Sequence, residues 1–198
     1  MYKYKPKQWF LYPNPVFDDA FQMLFEWELA TVVAEANSWK TTFALEMIDR
    51  NAEQWVKWYY INLEFPITTT YERRWLWYHN KMKSDLSSNK PLTEEEKADL
   101  ERYVNEQLNK YDYLNEPNWI DLDKLLKYIE IQALAWYKLF VVDTFSRIHW
   151  NLEKDARNNQ NKCMEALQEL VQRLNIAIIM LHHTNRAWTR EWSQKIMD

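Results

Sequence analysis

Apolar residues in this chain gather in four short runs, at residues 29–34 (LATVVA), 58–63 (WYYINL), 138–143 (KLFVVD) and 176–181 (IAIIML). The runs are continuous rather than alternating. Each therefore predicts a strand covered on both faces, the condition of strands in a parallel sheet. Between the runs the spacing turns helical. Residues 40–51 follow the first run, 121–135 precede the third, and 155–174 set Cys163, Leu167, Leu170, Val171 and Leu174 on one stripe. That stripe predicts a core-facing helix. Strand–helix alternation of this kind predicts an α/β domain of three layers around a mostly parallel central sheet.

Residues 68–118 interrupt the alternation. Their charged stretch PLTEEEKADLERYVNEQLNKYDYL places Thr93 and Glu96 as a capping box, so a solvated helical insertion is expected there. The acidic residues 94–96 read as first-turn helix charges, not as a catalytic cluster. Residues 1–20 are expected as an N-terminal arm and 21–198 as the core. The chain stops soon after the fourth run, which predicts that strands at the C-terminal side of the sheet are missing and that the chain is a fragment.

Composition changes how the turns are read. The chain has 198 residues, enough for one domain with a real core. It contains 12 tryptophans and no glycine, where average usage would give roughly 14 glycines. Several tryptophans stand where glycine has a physical reason to be. Trp55 and Trp136 follow helices at stop positions, Trp119 follows Asn118 before a helix, and Trp27 lies in the turn feeding the first strand. Trp150, Trp188 and Trp192 fall in the loops after the third and fourth strands. Only Trp58, Trp75 and Trp77 sit where packing would choose them. Most tryptophans are thus expected to mark glycine positions, as when UGA codons meaning glycine are read as tryptophan. A deliberately glycine-free sequence and a naturally tryptophan-rich chain are the alternatives.

Charge and cysteine set ordinary bounds. A net charge of −4 excludes a global basic field, so any contact with nucleic acid must be local. The single Cys163 excludes an internal disulfide and fits a reducing compartment. No apolar run reaches about 18 residues, and MYKYKPKQWF lacks the apolar core of a secretion signal. A cytoplasmic location without a membrane contact is expected.

The chemistry gathers at the carboxyl ends of the expected strands, where parallel sheets place their ligands. With position 39 read as glycine, residues 34–41 become A-x-x-x-x-G-K-T. A loop of this form presents backbone N–H groups to phosphates at a helix N-terminus, where the dipole also favours negative charge. Ala34, Glu35, Ala36, Asn37, Ser38, Trp39, Lys40, Thr41 and Thr42 would form it. Lys40 would neutralise the β- and γ-phosphates of a nucleotide, and the Thr41 hydroxyl would ligate Mg²⁺. Read literally, Trp39 sets an indole where phosphate must approach the backbone, so the literal chain is expected to be impaired. Asp143, ending the third strand, reads as a carboxylate holding Mg²⁺ through water. Its alternative is an Asp capping the turn at Thr144. Glu64, ending the second strand, could deprotonate an attacking water. His182 and His183 end the fourth; a metal pair there lacks supporting ligands at suitable spacing.

These stretches together resemble the RecA-like P-loop ATPases, and among them the hexameric replicative-helicase branch of DnaB and RepA type. ATVVAEANSWKTTFALEM is similar to that branch's first strand and phosphate loop, and YYINLEFP to its second strand, with Glu64 on the catalytic glutamate. LFVVDTFSRI resembles the Mg²⁺-binding strand. ALQELVQRLNIAIIMLHHTNRAWT resembles the last helix and strand, with His183 on the residue that senses the γ-phosphate. WSQKIMD resembles the segment after that loop, with Trp192 at a glycine position. The resemblance covers residues 24–67 and 119–198. It implies ATP hydrolysis coupled to movement on single-stranded DNA by a homo-oligomer, a hexamer in that branch, with sites between subunits. The DNA-facing loops would be 146–157 and 184–193, carrying Arg147, Lys154, Arg157, Arg186 and Arg190. An arginine finger would come from a neighbouring subunit. Two further readings stand beside the helicase: a recombinase-like or regulatory ATPase that does not unwind, and a non-catalytic α/β scaffold in which Trp39 is genuine.

Overall fold

The computed structural model describes residues 8–35, 39–86, 91–116, 118–149 and 156–184, the side chains of residues 83 and 156–159 excepted. In chain order the elements are β1 (Trp9–Phe10), α1 (Pro15–Phe21), β2 (Leu24–Phe25), β3 (Leu29–Ala34), α2 (Lys40–Ala52), β4 (Trp58–Asn62) and α3 (Ile67–Tyr78). There follow α4 (Glu94–Lys110), β5 (Tyr113–Asn115), β6 (Ile120–Asp121), α5 (Leu122–Leu134), β7 (Leu139–Asp143), β8 (Ile148–His149), α6 (Ala156–Leu174) and β9 (Ala177–His183).

Five strands form one sheet in the order β3-β9-β7-β4-β5, and every neighbouring pair is parallel. The four apolar runs supply β3, β4, β7 and β9. Two-residue ladders pair β1 with β2 and β6 with β8. The inner strands β4 and β7 are buried along their whole length, as their continuous apolar runs require. β3, at one edge, is partly exposed, with Thr31 and Val33 facing solvent.

Helices cover both faces, giving three layers. On one face α5 and α6 pack Leu125, Ile129, Cys163, Leu167 and Val171 against Ile61, Phe140, Val142 and Ile178. The α6 stripe is core, and burial lifts the Cys163 thiol to about 12. On the other face α2 and α3 pack Ala44, Leu45, Ile48 and Tyr71 against Tyr60, Val141 and Ile179. Each large apolar side chain among them contributes about 1.5–3 kcal/mol through burial, which fixes the strand ends that carry the polar groups.

The stretch 68–118 holds most of α3, all of α4 and, near its end, β5. Thr93 and Glu96 close the capping box on α4. β5 pairs with β4 and supplies an edge strand that no apolar run announced. Its three residues, Tyr-Leu-Asn, are too short and too polar to stand out. A buried guanidinium ties α4 to the core: Arg74 of α3, 5% exposed, pairs with Asp49 of α2, which also accepts from Tyr111 and Lys110 at the end of α4. The described part of the arm docks on α2. Asn51 exchanges hydrogen bonds with the Leu11 backbone, and Arg50 pairs with Asp18 at 2.5 Å.

Candidate functional site

The site is built where α2 starts beside the carboxyl end of the sheet. Lys40 opens the helix and is 3% exposed; its Nζ donates to the carbonyls of Ala34 at 2.9 Å and Glu35 at 2.5 Å. The ammonium thus lies over the end of β3. Burial lowers the Lys40 pKa, and the negative charges of Glu64 and Asp143 oppose that shift. Ala36, Asn37 and Ser38 lie outside the described residues. Trp39 occupies the N-cap position without a side-chain cap, 55% exposed, its indole 5.4 Å from the Phe43 ring.

In the first turn of α2, the Thr41 hydroxyl donates to Asp143 Oδ2 at 2.7 Å, and the Tyr60 hydroxyl donates to the same oxygen at 2.7 Å. Asp143 Oδ1 is buried with no hydrogen-bond partner among the described residues. A buried carboxylate oxygen left unpaired is uncommon, and a bound water or ion is among the partners that satisfy one. Burial pushes the Asp143 pKa up, while the bonds from Tyr60 and Thr41 pull it back; the Glu64 charge raises it further and His183 lowers it. A hard cation with oxygen ligands suits this donor set, a hydroxyl and a spare carboxylate oxygen. The capping alternative for Asp143 is not what the geometry uses, since its carboxylate accepts from side chains of α2 and β4. The Asp143–Thr144 peptide is cis, and the Thr144 hydroxyl donates to the Leu181 carbonyl at 2.6 Å.

Glu64 follows β4 and His183 ends β9; His183 Nε2 lies 3.3 Å from Glu64 Oε2, both side chains partly buried. His182, one residue earlier, packs its ring edge-on to Phe145 at 5.4 Å, and burial lowers its pKa, with His183 and Lys40 adding to the shift. The two histidines therefore serve different neighbours. Among the described residues no group of three or more His, Cys, Asp or Glu forms a metal cluster.

Lys40, Thr41, Thr42, Glu64, His183 and Trp39 line one cavity of about 650 Å³, with Thr70, Arg73, Arg74, Trp77 and Lys81 also on its walls. Arg73 is an addition to the residues expected from sequence. It stands nearly two helical turns into α3, its guanidinium 4.0 Å over the Phe65 ring, and no local sequence signal marks it. Of the arginines expected to face DNA, Arg147 is exposed just after β7 and reaches the Asn118 carbonyl at 3.5 Å. Arg157 enters only through the α6 backbone, and Arg186 and Arg190, with Lys154, lie outside the described residues. No helix among the described residues is long and apolar enough to cross a membrane.

The fold is shared with known proteins. The family model described as AAA domain matches residues 13–187. Among solved structures, the chain is similar to one described as an ATPase domain, with a TM-score of 0.66 and 13% identity over 83% of this chain and 60% of that one. It is equally similar to a DnaB-like replicative helicase described with its interactions with primase, at TM-score 0.66 and 13% identity, covering 83% of this chain and 41% of that one. The chain thus spans less than two thirds of either structure. No curated protein matches the sequence. At this identity the similarity concerns the fold, that of RecA-like P-loop ATPase domains.

Proposed function

The chain belongs to the AAA domain family that its residues 13–187 match, and from that premise we propose that it is an ATP-hydrolysing motor domain acting on DNA. The observation that carries this is that Lys40, Thr41, Glu64 and His183 line one cavity, with the buried Asp143 bonded to Thr41 behind it, so that four separate segments of the chain meet there. Gathered at the carboxyl ends of parallel strands, these groups match the parts that position and activate a phosphoryl group.

Lys40 releases the loop carbonyls and turns to the β- and γ-phosphates, its charge favoured by the two carboxylates nearby. Thr41 and Asp143 would hold Mg²⁺, which when bound would neutralise charge on the phosphates. Glu64 orients a water against the γ-phosphate and takes its proton as the new P–O bond forms. The bond to the β-phosphate oxygen breaks, leaving ADP and inorganic phosphate. His183, in contact with Glu64, reports the state of the γ-phosphate to β9. Residues 184–193 and the loop after β7, with Arg147, would face single-stranded DNA in a homo-oligomer, hexameric as the resemblance to the replicative-helicase branch implies. The test is ATP hydrolysis with and without single-stranded DNA, on Lys40→Ala and Glu64→Gln beside the parent. Hydrolysis that survives both substitutions overturns the proposal.

A second reading rests on Trp39. Its indole lines the cavity, and a chain that keeps it suits a non-catalytic α/β scaffold. Nucleotide titration of the literal chain separates the two.

A further inference from the structure

We infer that the functional protein carries glycine at positions 27, 55 and 136 but genuine tryptophan at 58 and 75, with UGA codons read as glycine at the first three. The inference stands on backbone geometry and does not depend on ATP hydrolysis.

Three helices end in the same pair of hydrogen bonds, and a fourth shares one of the two. At the end of α2, Val56 N–H donates to Asn51 C=O and Trp55 N–H to Ala52 C=O; at α5, Tyr137 donates to Gln132 and Trp136 to Ala133. The end of α3 repeats it, with Lys81 to Leu76 and Asn80 to Trp77, and at α6 Ile176 donates to Val171. This is the Schellman ending, in which the residue after the cap takes a left-handed conformation. The four residues there have φ of 62° at Trp55, 52° at Asn80, 73° at Trp136 and 50° at Asn175. Asparagine is the side chain that tolerates this region best after glycine, and two of the four ends use it. Tryptophan brings a bulky Cβ substituent against the following carbonyl and no polar group to compensate.

Packing does not offset the misfit. Trp55 is 95% exposed and Trp136 75% exposed, and neither indole makes a ring contact or a hydrogen bond among the described residues. At the third position, Glu28 N–H donates to Phe25 C=O to close a β-turn whose third residue is Trp27, with φ 69°. A turn with positive φ at that place is the type II turn, which takes glycine there.

Two other tryptophans behave as tryptophans should. Trp75 is buried in α3, donates its indole N–H to Asp99 at 2.9 Å and stacks on His79 at 4.1 Å. Trp58 is buried in β4, edge-on to Tyr111 at 4.8 Å. One letter therefore covers two kinds of position, in a chain of 198 residues with 12 tryptophans and no glycine. A single reassigned codon that carries the chain's glycines in place of the ordinary ones explains both the missing residue and the surplus one. Trp119 does not join the set, since its backbone is not left-handed. Position 39 joins it only through the proposed nucleotide site and is tested separately.

Peptide mass spectrometry of the protein isolated from its natural source, read beside the gene's codons, decides the matter. We expect glycine and UGA at 27, 55 and 136, and tryptophan and UGG at 58 and 75. Tryptophan at 55 or 136 in the native protein overturns the inference. A second measurement uses the literal chain, comparing Trp55→Gly with Trp55→Ala by thermal unfolding. The glycine variant is expected to melt above both the parent and the alanine variant; an alanine variant that melts as high or higher overturns the conformational argument.

Discussion

The Thr41 hydroxyl and the Asp143 carboxylate meet at 2.7 Å, joining the first turn of α2 to the end of β7 across the mouth of the sheet. Only one oxygen of Asp143 is used, by Thr41 and Tyr60 together, and the other is buried and unpartnered among the described residues. Removing the hydroxyl should therefore affect cation-dependent binding more than folding. As an oxygen ligand the hydroxyl would help hold Mg²⁺ with the nucleotide, so Thr41→Ala should weaken ATP binding in Mg²⁺ by roughly tenfold, about 1.4 kcal/mol. Calorimetric titration in Mg²⁺ and in chelator measures it. Equal loss in both would show that Thr41 acts on the nucleotide and not through the cation.

Glu64 and His183, in contact at 3.3 Å, should separate binding from chemistry. General-base catalysis contributes typically about 10²–10⁴-fold. Glu64→Gln should cut ATP turnover by about that factor while leaving nucleotide affinity within a few-fold. His183→Ala should lower turnover by less, and should reduce any stimulation by single-stranded DNA. Steady-state hydrolysis beside nucleotide titration checks both; a Glu64→Gln variant with unchanged turnover assigns the base elsewhere.

Stability on the acid side should depend on Asp49. Burial alone would raise its pKa. The hydrogen bonds from Tyr111 and Arg74, the Arg74 charge and the bond from Lys110 together outweigh burial and hold it below the ordinary carboxylate value. A depressed pKa gives stability that is present above the unfolded-state value and lost as pH falls through the folded one. Asp49→Asn should leave the Arg74 guanidinium buried without its counter-charge, costing about 3 kcal/mol near neutral pH. It should also flatten the fall in stability below about pH 4. Denaturant melts of both forms from pH 7 to 3 test this; parallel curves would show that Asp49 does not carry the acid limb.

Most of the sheet was legible because buried parallel strands are written as unbroken apolar runs, and β3, β4, β7 and β9 all are. β5 was not, since three residues at an edge need only backbone pairing with β4. Lys40, Thr41, Glu64 and Asp143 could be placed from sequence because each sits at or shortly after a strand end or opens the helix that follows one. The fold then brings every strand end to the same side. Arg73 could not, because its role depends on how α3 lies across the cavity, and a helix's lateral placement leaves no local signature. The Arg74–Asp49–Tyr111 cluster escaped for the same reason: its members come from three separate segments.

Trp39 provides the sharpest test of the nucleotide site. Its backbone is unstrained, with φ −71° and ψ 1°, so the objection to it is not conformational. The objection is steric: the side chain stands immediately before Lys40 and lines the cavity that phosphates would enter. Phosphate loops work by bringing backbone N–H groups within hydrogen-bond reach of the anion, which a Cβ and an indole at the closest residue prevent. Trp39→Gly should therefore gain ATP affinity by at least tenfold over the literal chain, about 1.4 kcal/mol. The gain should be larger for ATP than for adenosine, because the loop contacts phosphate. Titrations of both ligands against both chains measure it. If the literal chain binds ATP as tightly as the glycine form, the indole does not block the loop, and tryptophan is compatible with nucleotide binding at position 39.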